Sequence, residues 1–255
     1  DTVMVFNGDV LSGMDLEGIL TTHHDKDADV TMHLLNVADP RAFGCVPTDS
    51  NGRVTAFLEK TEDPPTNQIN AGCYVFKRSV IESIPADRVV SVERETFPGL
   101  LADGRLVVGH VDNSYWRDMG RPDDFTRGSS DLVRGIAPSP LIEGQTGESL
   151  VDPSAGIAGG VLLLSGTAVG RGSEVGAGSR LEGTVVFDGV RIEPGAIIHN
   201  SIIASGAHIG ANAVIENCVI GEGAHVGARC ELLDGMRVFP GVSIPDAGVR
   251  FSSDA

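Results

Sequence analysis

Ile203-Ala-Ser-Gly-Ala-His-Ile209-Gly-Ala-Asn-Ala-Val-Ile215 recurs, seventeen positions further on, as Ile220-Gly-Glu-Gly-Ala-His-Val226-Gly-Ala-Arg-Cys-Glu-Leu232. The same interval governs a longer stretch. Val169, Val186, Ile203 and Ile220 form one aliphatic column. Val175, Ile192, Ile209 and Val226 form a second, and Leu181, Ile198, Ile215 and Leu232 a third, with every step the same. Within one period the aliphatic steps are 6, 6 and 5. Such a period marks a stacked repeat, because one unit cannot bury its own apolar side chains and needs its neighbours to complete a core. Three short strands per coil, each turning one aliphatic residue inward, with corners rich in Gly, Asn and Asp, predict a triangular solenoid. Leu164-Ser-Gly-Thr-Ala-Val169, aligned with Leu181-Glu-Gly-Thr-Val-Val186, extends the pattern one coil back, and Val238 and Ile244 continue it in steps of six.

Upstream the period changes. Val3 to Phe6 reads as a buried strand, and a buried strand at the very start of a chain that lacks an initiator Met predicts further sequence before it. Leu16, Ile19, Leu20 and His23 recur at helical spacing. Val30–Val37 and Ile69–Phe76 read as strands, and Gly44–Thr48 and Arg53–Glu59 flank the hairpin signal Asp49-Ser50-Asn51-Gly52. Ser79–Ile84 reads as a short helix, Ser91 as the N-cap of a helix reaching Leu101, Leu106–Val111 and Tyr115–Arg117 as strands, and Pro122 as the start of a helix to about Val133. Alternating strands and helices predict a layered α/β domain over residues 1–135. A Pro-, Gly- and Ser-containing linker follows at 136–150, then the solenoid at 151–255.

Composition limits the function. The 255 residues carry 35 Asp and Glu against 19 Lys and Arg, a formal charge of −16. That excludes a sequence-independent binder of nucleic acid or of an anionic membrane, both of which need a basic face. Apolar runs no longer than that of Val161–Leu164 are far too short for a span. Four cysteines without a CxxC pair fit reduced thiols in a cytoplasmic protein.

Several junctions carry polar residues suited to chemistry. Asp9, in Asn7-Gly8-Asp9, and Asp118, in Trp116-Arg117-Asp118-Met119-Gly120, each follow a strand, the rim where ligands bind in open α/β sheets. Each alone reads as a turn residue; as neighbours, the two carboxylates would suit Mg²⁺. Glu59-Lys60 ends a strand, pairing an acceptor for hydroxyls with a point charge for phosphate. Asn70 suits a hydroxyl, Gly72 a close approach, and Gly44 a backbone N–H contact. His208 and His225, one interval apart, stack on adjacent coils as exposed side chains; His23-His24-Asp25 reads as a solvated helix end, and Cys218 and Cys230 as small buried or corner residues.

Taken in order, Asn7-Gly8-Asp9, Phe43-Gly44, Phe57-Leu58-Glu59-Lys60, Ile69-Asn70-Ala71-Gly72, Ser91-Val92-Glu93-Arg94-Glu95-Thr96-Phe97-Pro98 and Trp116-Arg117-Asp118-Met119-Gly120 resemble the sugar-1-phosphate nucleotidyltransferases. The six-residue motif resembles the hexapeptide repeat of left-handed parallel β-helices. The Ser91–Pro98 block with such a β-helix behind it resembles the mannose-1-phosphate guanylyltransferase branch. The resemblance implies a Rossmann-like mixed sheet, incomplete at its N-terminus because the glycine-rich phosphate loop is absent, and a left-handed β-helix. It implies Mg²⁺ on Asp9 and Asp118, sugar contacts from Gly44, Glu59 and Asn70, and phosphate contact from Lys60, with Gly72 completing the substrate-binding set through the close approach it allows. The implied partners are mannose 1-phosphate and GTP, with the β-helix as a homo-oligomer contact. Thr61 stands where the family usually has Pro, and Arg121 where it has Thr. Transfer to glucose 1-phosphate from UTP, dTTP or ATP is an alternative, as are a non-catalytic regulatory subunit and a β-helix acyltransferase; the sequence lacks the long inter-coil loop that an acyltransferase would need.

Overall fold

Residues 68–77 are apolar or small at nearly every position, as a strand buried on both faces requires. In a computed structural model, which describes residues 1–58, 60, 62–142, 144 and 146–250, they form the centre of a mixed sheet. The chain divides into two compact units, Asp1–Trp116 and Arg117–Ala255. The first contains β1 (Thr2–Phe6), β2 (Val10–Ser12), α1 (Leu16–Asp25), β3 (Val30–Asn36), β4 (Gln68–Lys77), α2 (Arg78–Glu82), α3 (Phe97–Ala102) and β5 (Val107–Val111). Its sheet runs β1-β4-β3-β5, antiparallel at β1/β4 and β4/β3 and parallel at β3/β5. One face packs Val30, Met32, Leu34, Tyr74 and Phe76 against Phe97 and Leu100 of α3. The other packs Cys73 and Val75 against Ile19 of α1.

Some local expectations change. β1 is an edge strand, leaving Val5 38% and Phe6 54% exposed, so its apolar run does not mark a buried strand. The predicted hairpin is reduced to isolated pairs, Cys45 with Leu58 and Thr48 with Val54, around a turn in which Asp49 Oδ1 accepts from Asn51 N and Arg53 N. His23 is not solvated: it is 2% exposed and hydrogen-bonded to Thr31 Oγ1 at 3.0 Å. Among the described residues no helix is long and apolar enough to cross a membrane.

The second unit carries α4 (Pro122–Val133) and the solenoid. Three parallel sheets of six, six and five strands stack coil on coil, the architecture expected of a left-handed hexapeptide β-helix. All twelve columnar aliphatics are buried in one core. Register follows the interval of the sequence, with Leu181 opposite Ile198 and Ile198 opposite Ile215. The first coil differs: Leu163, not Leu164, lies opposite Leu181. The reason is a corner. Gly183, Asn200 and Asn217 each turn the chain with a single left-handed residue, whereas Ser165-Gly166 and Asp234-Gly235 use two, so the coils they close are longer by one. A ladder of Thr167, Thr184, Ser201 and Cys218 lies buried beside this corner, with side chains donating to nearby carbonyls such as Leu164 O, Glu182 O, His199 O and Glu216 O. That position makes Cys218 a packing residue, and Cys230 is buried likewise. His208 and His225 do stack, edge to face at 4.6 Å, with His208 Nε2 3.2 Å from Glu193 Oε1.

Two of these environments lend themselves to test. At the corner column of Gly178, Gly195 and Asn212, Arg229 holds φ +58° with an exposed side chain. A left-handed Cβ costs about 1–2 kcal/mol, partly offset by the backbone entropy of glycine. Arg229→Gly therefore raises stability by about 0.5–1 kcal/mol in urea denaturation, and a lower midpoint contradicts this. Burial lowers the pKa of both His23 and His33, and among the described residues the buried Nδ1 of His33 has no partner while its Nε2 lies 3.1 Å from Asp112 O. Their neutral forms contribute stability that is full above about pH 6.5 and is lost as pH falls. Imidazole NMR titration should place both midpoints below the ordinary histidine value; midpoints at or above it contradict the assignment.

Candidate active site

A regular strand advances about 3.3 Å per residue, so residues four apart stand about 13 Å from each other. Asn70 and Tyr74 do not. Tyr74 lies opposite Met32, and Asn70 opposite Leu34, so five residues of β4 face three of β3. The extra length is a bulge, the irregularity that proteins use to re-aim side chains near active sites. Within it Gly72 has φ +79°. The bulge brings Asn70 Nδ2 to 2.7 Å from Tyr74 Oη and to 2.7 Å from Glu93 Oε1, while Asn70 Oδ1 accepts from Gly72 N at 3.1 Å. Chemistry fixes the amide's orientation: an ionised carboxylate only accepts and a backbone N–H only donates. Burial pushes the Tyr74 hydroxyl up to about 12, with the Glu93 carboxylate acting in the same direction, so the phenol stays protonated.

Gly72 also pins the Asn7–Asp9 turn. Asn7 N donates to Gly72 O at 2.7 Å, and a Cβ on Gly72 would meet Asn7 Nδ2 at 2.9 Å. Asp9, two residues after Asn7, is an exposed carboxylate.

Cys45 gathers the other segments. It bridges to Leu58 on one side, with N and O paired to Leu58 O and N at 3.0 Å, and to Ile69 on the other. Gly44, the exposed Lys60 and Asn70 thus sit on three segments that meet at one residue. Glu59 lies outside the described residues. In the second unit, Asp118 closes β6 (Trp116–Asp118) as an exposed carboxylate whose Oδ1 accepts from Gly120 N at 2.8 Å. Among the described residues no group of three or more His, Cys, Asp or Glu is placed to hold a metal. Cys73, within the bulge, is buried and burial pushes its thiol up to about 11, which favours the protonated, unreactive form at neutral pH.

Tyr74 and Glu93 are absent from the residues singled out by sequence. Glu93 lies inside the quoted Ser91–Pro98 block, but nothing in that block's spacing points 23 positions back to Asn70.

Residues 1–135 match the family model described as Nucleotidyl transferase, and residues 145–248 the one described as GMPPB C-terminal domain. The chain is 65% identical over 255 residues to mannose-1-phosphate guanylyltransferase of Mycobacterium tuberculosis, covering 100% of this chain and 71% of that protein. It is 36% identical over 183 residues to mannose-1-phosphate guanylyltransferase 1 of Arabidopsis thaliana, covering 69% and 50%. It is 31% identical over 161 residues to the mannose-1-phosphate guanylyltransferase catalytic subunit beta of Drosophila melanogaster, covering 61% and 43%. The chain belongs to the nucleotidyl transferase family and, within it, to the mannose-1-phosphate guanylyltransferases.

The Gly72 geometry is directly testable. Gly72→Ala should cost about 1–3 kcal/mol, from the left-handed backbone and the displaced Asn7 side chain together. A urea midpoint equal to the wild type would show that the bulge tolerates a Cβ.

Proposed function

We infer that the chain serves nucleotidyl transfer from GTP to mannose 1-phosphate, yielding GDP-mannose and pyrophosphate. The observation that carries this reading is 65% identity to the mycobacterial enzyme along the whole chain. The meeting of the Gly44, Lys60 and Asn70 segments at Cys45 supports a sugar-phosphate site in the first unit.

In the reaction an oxygen of the sugar phosphate attacks the α-phosphorus of GTP, the bond from that phosphorus to the β-phosphate oxygen breaks, and pyrophosphate departs. No protein nucleophile is required, so positioning and charge stabilisation supply the rate. Lys60 presents a compact positive charge to the sugar phosphate. Asn70 and the backbone of Gly44 and Gly72 engage the hexose, and Glu59 is assigned to the same role of binding its hydroxyls. Asp9 and Asp118 are the carboxylates assigned to Mg²⁺. Both are exposed hard-oxygen donors, and Asp9 makes no hydrogen bond or ion pair among the described residues, which fits an ion that takes one or two carboxylates plus phosphate oxygens. When bound, Mg²⁺ offsets the negative charge of the phosphates. We assign the reaction to the cytoplasm and the solenoid to contact between copies of the chain.

A substrate panel on the intact protein tests the reading. Mannose 1-phosphate with GTP should be preferred over glucose 1-phosphate with UTP, dTTP or ATP; preference for a glucose pair would select the alternative. Asp9→Ala or Asp118→Ala should lower kcat at least about 100-fold, and Lys60→Ala should raise the sugar-phosphate KM about tenfold. Near-normal rates in the aspartate variants would overturn the assignment.

A further inference from the structure

The Ser91–Pro98 block has a definite construction. Ser91 Oγ caps Arg94 N at 3.2 Å, Glu95 Oε1 accepts from Ser91 N at 3.2 Å, and Arg88 Nη1 holds Glu95 Oε2 at 2.8 Å. Phe97 anchors the far end, buried and stacked on Phe57 at 5.3 Å and Phe76 at 6.0 Å. Between these anchors residues Val92–Thr96 form a single wide π-type turn, a local geometry that recurs at functional sites. The turn leaves Glu93 exposed at the edge of a cavity of about 450 Å³, walled by Val5, Phe76, Ile81 and Ile84 with Asn7 beside it. Two fixed ends and a widened middle present one carboxylate to one partner, Asn70.

The consequence lies in donor and acceptor counting. A side-chain amide has two N–H donors and two carbonyl lone pairs. In Asn70 both donors are used, by Tyr74 Oη and Glu93 Oε1, and one lone pair accepts from Gly72 N. What remains for a ligand is a single acceptor position, which suits a hydroxyl hydrogen. The bond to Glu93 is charge-assisted and stronger than a neutral one. Without it, one amide N–H is unsatisfied and the amide can turn over, offering a donor where an acceptor stood.

The geometry points to Glu93 as a positioning residue for the hexose, acting through Asn70 to hold that amide as an acceptor of a sugar hydroxyl. This rests on the nucleotidyl-transfer reading above and adds to it a residue and a direction of hydrogen bonding.

Steady-state kinetics of the intact protein with each substrate varied in turn tests it. Glu93→Ala should raise the sugar 1-phosphate KM about tenfold, with kcat and the GTP KM within about twofold of wild type. Glu93→Gln should recover most of the loss, since its amide oxygen still accepts from Asn70. Asn70→Ala should raise the same KM, and adding Glu93→Ala to it should give no further rise, as expected for residues acting in series. An unchanged sugar KM in Glu93→Ala, a parallel rise in both KM values, or additive losses in the double variant would overturn the inference. If wild type shows no hexose 1-phosphate turnover, or Asn70→Ala leaves the sugar KM unchanged, it is the nucleotidyl-transfer reading that fails.

Discussion

A left-handed glycine in the middle of a buried strand sets the local geometry of β4 and of the turn that follows β1. Gly72 lets β4 carry five residues where β3 carries three, and only that compression puts Asn70 within 2.7 Å of Tyr74. The same glycine, lacking a Cβ, lets Asn7 pack against it and accepts the Asn7 N–H at 2.7 Å. One backbone irregularity therefore fixes both the amide assigned to the sugar and the turn that carries Asp9. An irregular strand is costly, and it persists here because β4 is held by β1 and β3 on its two sides and by aromatic packing beneath.

The solenoid obeys a different constraint. Its coils share one aliphatic core, and each corner must change direction within a few residues, so left-handed backbone recurs at most of the turns. Where one such residue serves, as at Asn200, the coil keeps the common length; where two serve, as at Asp234-Gly235, it is longer by one. Both lengths keep the inward position facing inward, because the extra residue is absorbed at the corner and not within a strand, where a one-residue slip would turn the aliphatic side chain outward.

These two halves differ in how plainly the sequence reveals them. Twelve aliphatic residues at a fixed interval have one economical explanation, and the solenoid core contains all of them. The same interval misplaces Leu164, since a periodic pattern does not show an inserted corner residue; Ser165-Gly166, two turn formers in a row, is the available signal. Val5 and Phe6 are apolar yet exposed because hydrophobicity does not distinguish an edge strand from a central one. His23 sits at a helix end but faces Thr31 of β3, a tertiary contact invisible to local pattern. In the site, Gly44, Lys60 and Asn70 are legible as motif residues, whereas Glu93 acquires meaning only through a bulge and a π-type turn, neither of which has a sequence period.

The central claim is that a hexose 1-phosphate binds where Gly44, Lys60 and the bulge of β4 converge, with Asn70 held as an acceptor. Titrating the ¹⁵N-labelled protein with mannose 1-phosphate and following amide resonances tests it most directly. The account predicts shifts at Gly44, Lys60 and Gly72 and in the Asn70 side-chain pair, with solenoid core residues such as Ile198 and Ile215 unmoved. Saturable binding that leaves those first-unit resonances in place, and perturbs others instead, would contradict it.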